Sequence, residues 1–222
     1  MATDDVLKPR VLLVSLQLSP SFDHMYGSFL AKLASRSTIR RVKKEESAIR
    51  LLSEEPRFSA VIVTDAAPSL PENSAVWDAV LEYVRQGGTS VLMAEFPLYV
   101  RHSKMGSFFS KAGLSWKFGA FFRTNVTLNR NSVSPASVAH LPPEYSQLAT
   151  YIRDVAPADA WYTTTENSII EPCPFAPEVP HNVTQISVAL ACVGNGKLGY
   201  VGDVDAEEGS ADVALAMCGL SP

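Results

Sequence analysis

Short apolar segments alternate with amphipathic helix patterns through the first half of the chain, and this alternation constrains the fold most strongly. The clearest unit is a helix predicted over 74–86, followed by Gly87-Gly88 and an apolar strand over 89–94. Asn73-Ser74 offers side chains that can cap the helix, and glycine is the usual residue at a helix end. A strand that follows a helix so closely is typical of a β-α-β unit with parallel strands.

Two further apolar segments, 10–15 and 59–64, have the continuous hydrophobicity of parallel strands buried on both faces. Helices are predicted over 23–35 and 45–53, and 38–42 is predicted to form a short edge strand. The pattern indicates an α/β fold, a three-layer flavodoxin-like sandwich with helices on both faces of the sheet. Ligands of such folds bind beyond the carboxyl ends of the strands.

The second half of the chain is less regular. A short helix is predicted over 105–112 and a strand over 120–128. A further helix is predicted to begin at Pro142-Pro143, because Tyr145, Leu148, Ala149 and Ile152 recur at helical spacing. Residues 154–182 include several prolines and are interpreted as an ordered loop excursion and a candidate lid. With 222 residues and 46% hydrophobic residues, residues 1–222 are predicted to form one domain.

The C-terminal part contains the strongest hairpin signal. Apolar strands over 186–193 and 198–204 flank Gly194-Asn195-Gly196-Lys197, and Asn-Gly is a preferred pair for a type I′ turn. A last helix is predicted over 210–218. The expected sheet is therefore mainly parallel and ends in an antiparallel hairpin.

Composition argues against several functional classes. The chain has 19 basic and 23 acidic residues, a formal net charge of -4 and a sequence pI near 5.6, so no nucleic-acid partner is expected. No segment approaches the roughly 20 apolar residues of a membrane span. The N-terminal sequence lacks the pattern of a secretory signal, so a cytoplasmic protein is expected. Three widely spaced cysteines favour neither a disulfide framework nor a zinc knuckle.

Three ordered pieces of the sequence resemble the class I glutamine amidotransferase-like superfamily and, within it, the ThuA-like group. They are the strand Val11–Ser15, the helix end 83–88 before the strand 89–94, and the segment 194–203. In the amidotransferases of this superfamily, a cysteine nucleophile follows the strand that corresponds to 89–94. A histidine and a carboxylate near the last strand support it.

The chain departs from that pattern at the reactive positions. Ala94-Glu95-Phe96 contains neither cysteine nor serine, and Asp203 stands where the histidine is expected. The resemblance therefore implies the pocket but not the chemistry. A glutamine-hydrolysing activity is not expected.

Three residues are candidates for acid/base catalysis. Glu95 and Asp65 follow neighbouring strands, and partial desolvation raises the pKa of a carboxyl group toward neutrality. Glu95 can instead bind Arg101 or accept hydrogen bonds from a turn, and Asp65 can simply cap a turn. His24 can titrate near neutral pH, but a lone histidine at a helix start is commonly a surface or packing residue.

The aromatic segment 116–123 is the main candidate for substrate binding. Its residues Trp116, Phe118 and Phe122 can line a partly apolar pocket in which Arg123 binds an anionic or carbonyl group; packing against the sheet is the alternative. The remaining substrate-binding candidates are Gln17, Tyr26 and Asp203.

No metal site and no cofactor are predicted. The histidines lack metal-ligand spacing, and the acidic residues from Asp203 to Glu208 lack calcium-loop spacing and are interpreted as a solvated loop. No glycine-rich phosphate-binding motif occurs. Cys192 and Cys218 are expected to be small buried hydrophobic residues, whereas Cys173, between two prolines, is a candidate exposed thiol.

The sequence thus leaves two functional hypotheses. The first is a small-molecule enzyme that performs acid/base chemistry, as an isomerase, cyclase, lyase or hydrolase, on a partly apolar metabolite. The second is a non-catalytic member of the same fold that binds a metabolite or another protein. An aromatic pocket that contains Glu95 would favour the first, and Glu95 paired with Arg101 without an adjoining cavity would favour the second. Exposed apolar helix stripes would indicate a homo-oligomer.

Overall fold

The computed structural model describes residues 8–166, 168–171 and 185–220. A sheet of nine strands, in the order β2-β1-β3-β4-β9-β8-β7-β5-β6, forms the centre of the described chain. The strands are β1 Arg10–Val14, β2 Thr38–Val42, β3 Ala60–Val63, β4 Thr89–Leu92, β5 Lys117–Leu128, β6 Glu144–Arg153, β7 Ala160–Thr163, β8 Val188–Val193 and β9 Gly196–Val201.

Helices cover both faces of this sheet. They are α1 Phe22–Met25, α2 Gly27–Arg36, α3 Glu45–Leu52, α4 Ser74–Arg85, α5 Phe96–Tyr99, α6 Met105–Ser110, α7 Pro135–Val138 and α8 Glu208–Met217. Side chains alternate across a strand, so Leu12 of β1 joins the hydrophobic cluster of α3, α4 and α6, whereas Val11 joins that of α2 and α8. Two hydrophobic cores therefore lie on opposite faces of one sheet, as the three-layer prediction requires.

The five strands β2, β1, β3, β4 and β9 are parallel, which confirms the β-α-β pattern of the first half. β2 lies at the edge of the sheet, as expected. The helix predicted over 23–35 is divided into α1 and α2, because Tyr26 between them departs from helical geometry with φ -97° and ψ 19°. The helix α4 matches its predicted range and Gly87 after it has the left-handed φ of 108°, but the predicted cap is not formed, because the side chain of Asn73 makes no capping hydrogen bond.

The sheet is mixed rather than mainly parallel. β8 pairs antiparallel with β9, and β7, β5 and β6 continue the sheet as antiparallel strands. The terminal hairpin is therefore the start of an antiparallel half of the sheet. The sequence predicted two strands of this half, β5 and β8. It predicted a helix where β6 lies, and β7 lies within the segment interpreted as a loop.

The helix predicted from Pro142-Pro143 is wrong, because these residues lead into the strand β6. β6 pairs with β5 along most of its length. Its backbone also forms hydrogen bonds with the backbone of Ile186, Gly202 and Val204. The adjacent residues Tyr151 and Ile152 are both buried because they belong to the hydrophobic clusters on opposite faces of the sheet, so buried positions do not alternate with exposed ones. The resulting spacing coincided with that of a helix.

The terminal hairpin is confirmed, although its turn differs from the predicted one. The pairing of Val193 with Gly196 leaves Gly194-Asn195 as the two loop residues. Only Gly194 has a positive φ, 61°, which is the pattern of a type II′ turn rather than type I′. Cys192 is exposed, contrary to the expectation of a buried residue, whereas Cys218 is buried as expected.

Part of the predicted loop excursion over 154–182 is ordered as β7. Residues 172–182 of the predicted excursion, including Cys173, lie outside the described residues. The lid therefore stays a prediction. None of the helices in the described ranges combines the length and hydropathy that would let it cross a membrane.

Candidate functional site

The connection between β4 and α5 is a sharp turn with a strained residue. Ala94 has a φ of 61°, a left-handed conformation that costs a non-glycine residue roughly 1–2 kcal/mol. The backbone N–H of Glu95 donates to the carbonyl oxygen of Thr64 at 2.9 Å, which holds the turn against the end of β3. Strained turns of this kind present nucleophiles in other α/β enzymes. Here the strained position is occupied by Ala94, whose side chain is only a methyl group.

The Glu95 carboxylate is almost fully buried, with 4% of the residue exposed. The hydroxyl of Ser19 donates to Oε1, and the backbone N–H of Ser19 donates to Oε2 at 3.0 Å. Glu95 is therefore bound by the loop between β1 and α1. No ion pair between Glu95 and Arg101 is found in the described part of the chain.

Asp65 fastens the same loop from the neighbouring strand. Its Oδ2 accepts the backbone N–H of Gln17 at 3.0 Å, and its Oδ1 accepts that of Ala67 at 2.9 Å. Only 1% of the residue is exposed, and burial raises the pKa of this carboxyl group. The backbone amides of Gln17, Ala67 and Leu16 oppose this rise in pKa, while the nearby Glu95 adds to it. Asp65 thus caps its own turn, as the alternative interpretation held, and also positions Gln17.

A cavity of about 370 Å³ opens beyond the carboxyl ends of β1, β3 and β4, and we refer to it as the cleft. It is lined by Gln17, Leu18, Ser19, Ala66, Ala67, Leu70 and Tyr99. Gln17 and Ser19 form polar parts of its wall, and both are bound from behind by the buried carboxylates. Glu95 and Asp65 therefore do not line the cleft themselves. They are bonded to the loop residues Ser19 and Gln17, which do.

A second, narrow cavity lies on the other side of the strained turn. It is lined by Ala94, Tyr26 and Asp203, together with residues of α2 and α8 and their neighbours. Burial, followed by the charges of Asp203 and Glu95, raises the pKa of the Tyr26 hydroxyl. Ala94 and Asp203 therefore line the same cavity, and their correspondence to the nucleophile and histidine of the superfamily stays a prediction. His24 is exposed on α1 and does not line either cavity.

Asp203 is buried and organises the acidic loop before α8. Its two carboxylate oxygens accept the backbone N–H groups of Asp205, at 3.1 Å, and Glu207, at 2.8 Å. Burial raises the pKa of Asp203 to about 6, although these two amides lower it. Arg123 pairs with Asp205 and, at 2.8 Å, with Glu207. Arg123 is therefore engaged by the loop, and the acidic residues are only partly solvated.

The aromatic segment does not form one wall of a pocket. Trp116, 1% exposed, packs against Phe109 with ring centroids 5.2 Å apart in the core beside α4 and α6. Phe122 stacks on Tyr151 at 4.0 Å in the core on the other face. The half-buried Phe118 stacks on His102 at 3.9 Å. Packing accounts for these side chains, and none of the three lines the cleft or the narrow cavity.

Sequence reasoning missed Ser19, Tyr99 and the strained position of Ala94. Ser19 and Glu95 are 76 positions apart, and no local motif announces their contact. Positive φ at Ala94 was also invisible, since alanine rarely adopts it. Within the described ranges, no group of three or more His, Cys, Asp or Glu residues is placed to hold a metal ion.

The structure is similar to solved structures of ThuA-like proteins. It matches one from Bacteroides uniformis with a TM-score of 0.59 and 13% identity, over 98% of this chain and 92% of the other. It matches one from Parabacteroides merdae with a TM-score of 0.55 and 13% identity, over 97% and 91%. A GMP synthase-like protein from Thermoplasma acidophilum has a TM-score of 0.50 and 12% identity, over 96% and 94%.

The chain has a class I glutamine amidotransferase-like fold. No protein-family model and no curated protein matches it. At identities of 12–13%, these similarities establish the amidotransferase-like fold and not a reaction.

Proposed function

We propose that this chain is a small-molecule enzyme that performs acid/base chemistry in the cleft without a thiol nucleophile. The observation that carries the proposal is the hydrogen bond from the Ser19 hydroxyl, in the wall of the cleft, to the buried carboxylate of Glu95. Ser19 would meet the substrate, and Glu95 would accept or return the proton behind it.

The mechanism is a two-group proton relay. As Ser19 Oγ takes a proton from the substrate, its own proton passes to Glu95 Oε1; reversal of these transfers protonates the product. The bond from Ser19 N–H to Oε2 fixes the carboxylate during both steps. Positioned proton transfer contributes roughly 10²- to 10⁴-fold to rate. The relay suits an isomerase, lyase, cyclase or hydrolase.

The walls of the cleft support a partly apolar substrate. Leu18, Leu70 and the ring of Tyr99 supply apolar surface, while Gln17 and Ser19 supply polar groups on one side. The backbone N–H of Gln17 is bonded to Asp65, so the loop that carries this side chain is held in place before a ligand binds. A small metabolite with one polar end fits this division of the surface.

A thermal-shift screen of metabolites, followed by product analysis of the ligands found, tests the proposal. With an identified substrate, Glu95→Gln and Ser19→Ala should each reduce kcat by at least about 100-fold while the ligand still raises the melting temperature. Glu82→Gln, an exposed residue near the end of α4, is the matched control. Unchanged turnover in Glu95→Gln would remove Glu95 from the mechanism.

A further inference from the structure

We propose that a second cavity, formed by the β3–α4 connection with α4 and α6, binds an amphipathic small-molecule anion: an apolar body with a carboxylate or phosphate group. This cationic pocket has a volume of about 280 Å³. The residues that carry the argument are Leu70, Trp77, Phe108, Arg101, Lys104 and Lys111.

The floor of the cationic pocket is apolar and is formed by the edges of Trp77 and Phe108, which are 1% and 6% exposed. Trp77 and Phe108 stack with ring centroids 4.1 Å apart and planes inclined by 18°. The indole N–H of Trp77 donates to the carbonyl oxygen of Phe108 at 3.3 Å, so this donor is already used. Leu70 adds an aliphatic side wall. The floor therefore favours an apolar group without polar atoms.

The rim of the cationic pocket is positively charged. Arg101 and Lys104 are exposed, and neither forms an ion pair in the described part of the chain, whereas Lys111 is paired with Asp78 at 3.1 Å. None of the described residues that line the pocket is acidic. Two uncompensated cations beside an apolar floor, in a chain with a net charge of -4, are complementary to an anion with an apolar body. The Arg101 guanidinium suits a carboxylate or phosphate in particular, because it can donate two parallel hydrogen bonds.

The cationic pocket is a separate site from the cleft. The two cavities share only Leu70 among their lining residues, and neither Ser19 nor Gln17 reaches the cationic pocket. The inference does not rest on the proposed proton relay. The volume of the cationic pocket lies just below the usual range for ligand pockets, which limits the ligand to roughly the size of a two-ring acid.

Binding of 2-naphthoate, followed by calorimetry or ligand-observed NMR, tests the proposal directly. The neutral isostere 2-naphthamide serves as the paired probe. We expect 2-naphthoate to bind more tightly than 2-naphthamide, and the difference to shrink at high salt because exposed charges are screened. Equal binding of the two probes, or no binding of 2-naphthoate at millimolar concentration, would overturn the proposal.

Variants then locate the site. Arg101→Gln with Lys104→Gln should weaken 2-naphthoate binding roughly 4- to 25-fold, since each exposed charge contact contributes about 2- to 5-fold. The matched control, Lys43→Gln with Lys44→Gln, removes the same charge from exposed positions that do not line the pocket. Ser107→Trp, which places a ring at the rim, should block both probes. Equal weakening by the two double variants, or full binding in Ser107→Trp with an unchanged melting temperature, would refute the assignment.

Discussion

The buried carboxyl group of Asp203 is expected to make stability depend on pH in a specific direction. Its pKa rises from the ordinary 3.8 to about 6 in the folded chain, so the folded state holds this proton over a pH range in which the unfolded state has lost it. The free energy of unfolding therefore falls as pH rises from about 4 to about 6, and stays lower above. The difference between the two pKa values corresponds to about 3 kcal/mol.

Asp203→Asn isolates this contribution. The asparagine oxygen can accept one of the two backbone N–H groups, of Asp205 and Glu207, but its NH₂ group faces the other N–H. This leaves one N–H without an acceptor and lowers the free energy of unfolding by about 1–3 kcal/mol at every pH. The wild type should therefore be more stable than the variant at pH 4. Its advantage should shrink by about 3 kcal/mol by pH 7 and can change sign.

Urea unfolding of both proteins at half-unit steps from pH 4 to pH 7 gives the difference curve. Other titrating groups, such as Asp65 with its raised pKa, are common to both proteins, so their contributions cancel in the difference curve. Asp78→Asn, at an exposed residue, is the control and should give a smaller pH-dependent difference, since exposed ion pairs contribute little. A wild-type advantage that is constant with pH, or that grows as pH rises, would refute the reasoning.

Three further predictions concern packing, ion pairing and thiol reactivity. Gly196→Ala should destabilise the fold by several kcal/mol and lower soluble expression, because its Cβ would lie 2.1 Å from the backbone oxygen of Gly88; melting curves check this. Arg123→Met should cost up to about 2 kcal/mol, with the loss reduced at 1 M salt, because its ion pairs with two carboxylates are partly exposed; urea unfolding at two salt concentrations measures it. The Cys218 thiol, whose pKa burial raises to about 12, should be alkylated only after unfolding, as followed by peptide mass spectrometry.

The parallel half of the fold was predictable because its signals are local. β1, β3 and β4 are continuous apolar segments, and the intervening helices have one apolar face each. β6 was not predictable in the same way. Both of its faces are covered, with Tyr151 and Ile152 in hydrophobic clusters on opposite sides of the sheet, so it lacks the alternation of a strand with one exposed face.

The candidate site was predictable in position more than in detail. Their positions after β4 and β3 predicted that Glu95 and Asp65 lie at the same end of the sheet, because the carboxyl ends of parallel strands lie together. Their partners, Ser19 and Gln17, depend on how the loop after β1 folds back over that edge. The aromatic segment failed as a pocket wall, since Trp116 and Phe122 pack on opposite faces of the sheet.

The sequence by itself determined that the turn after β4 lacks a nucleophile, since no fold can supply a thiol or hydroxyl that the residues at this turn do not have. It also determined the alternation of strands and helices that places this turn at the carboxyl end of a parallel strand. The tertiary structure decided that Ala94 holds the strained position, with Asp203 beside it, and that Glu95 is bonded to Ser19. Backbone strain, burial and hydrogen bonds between distant residues arise only when the packed chain brings those groups together.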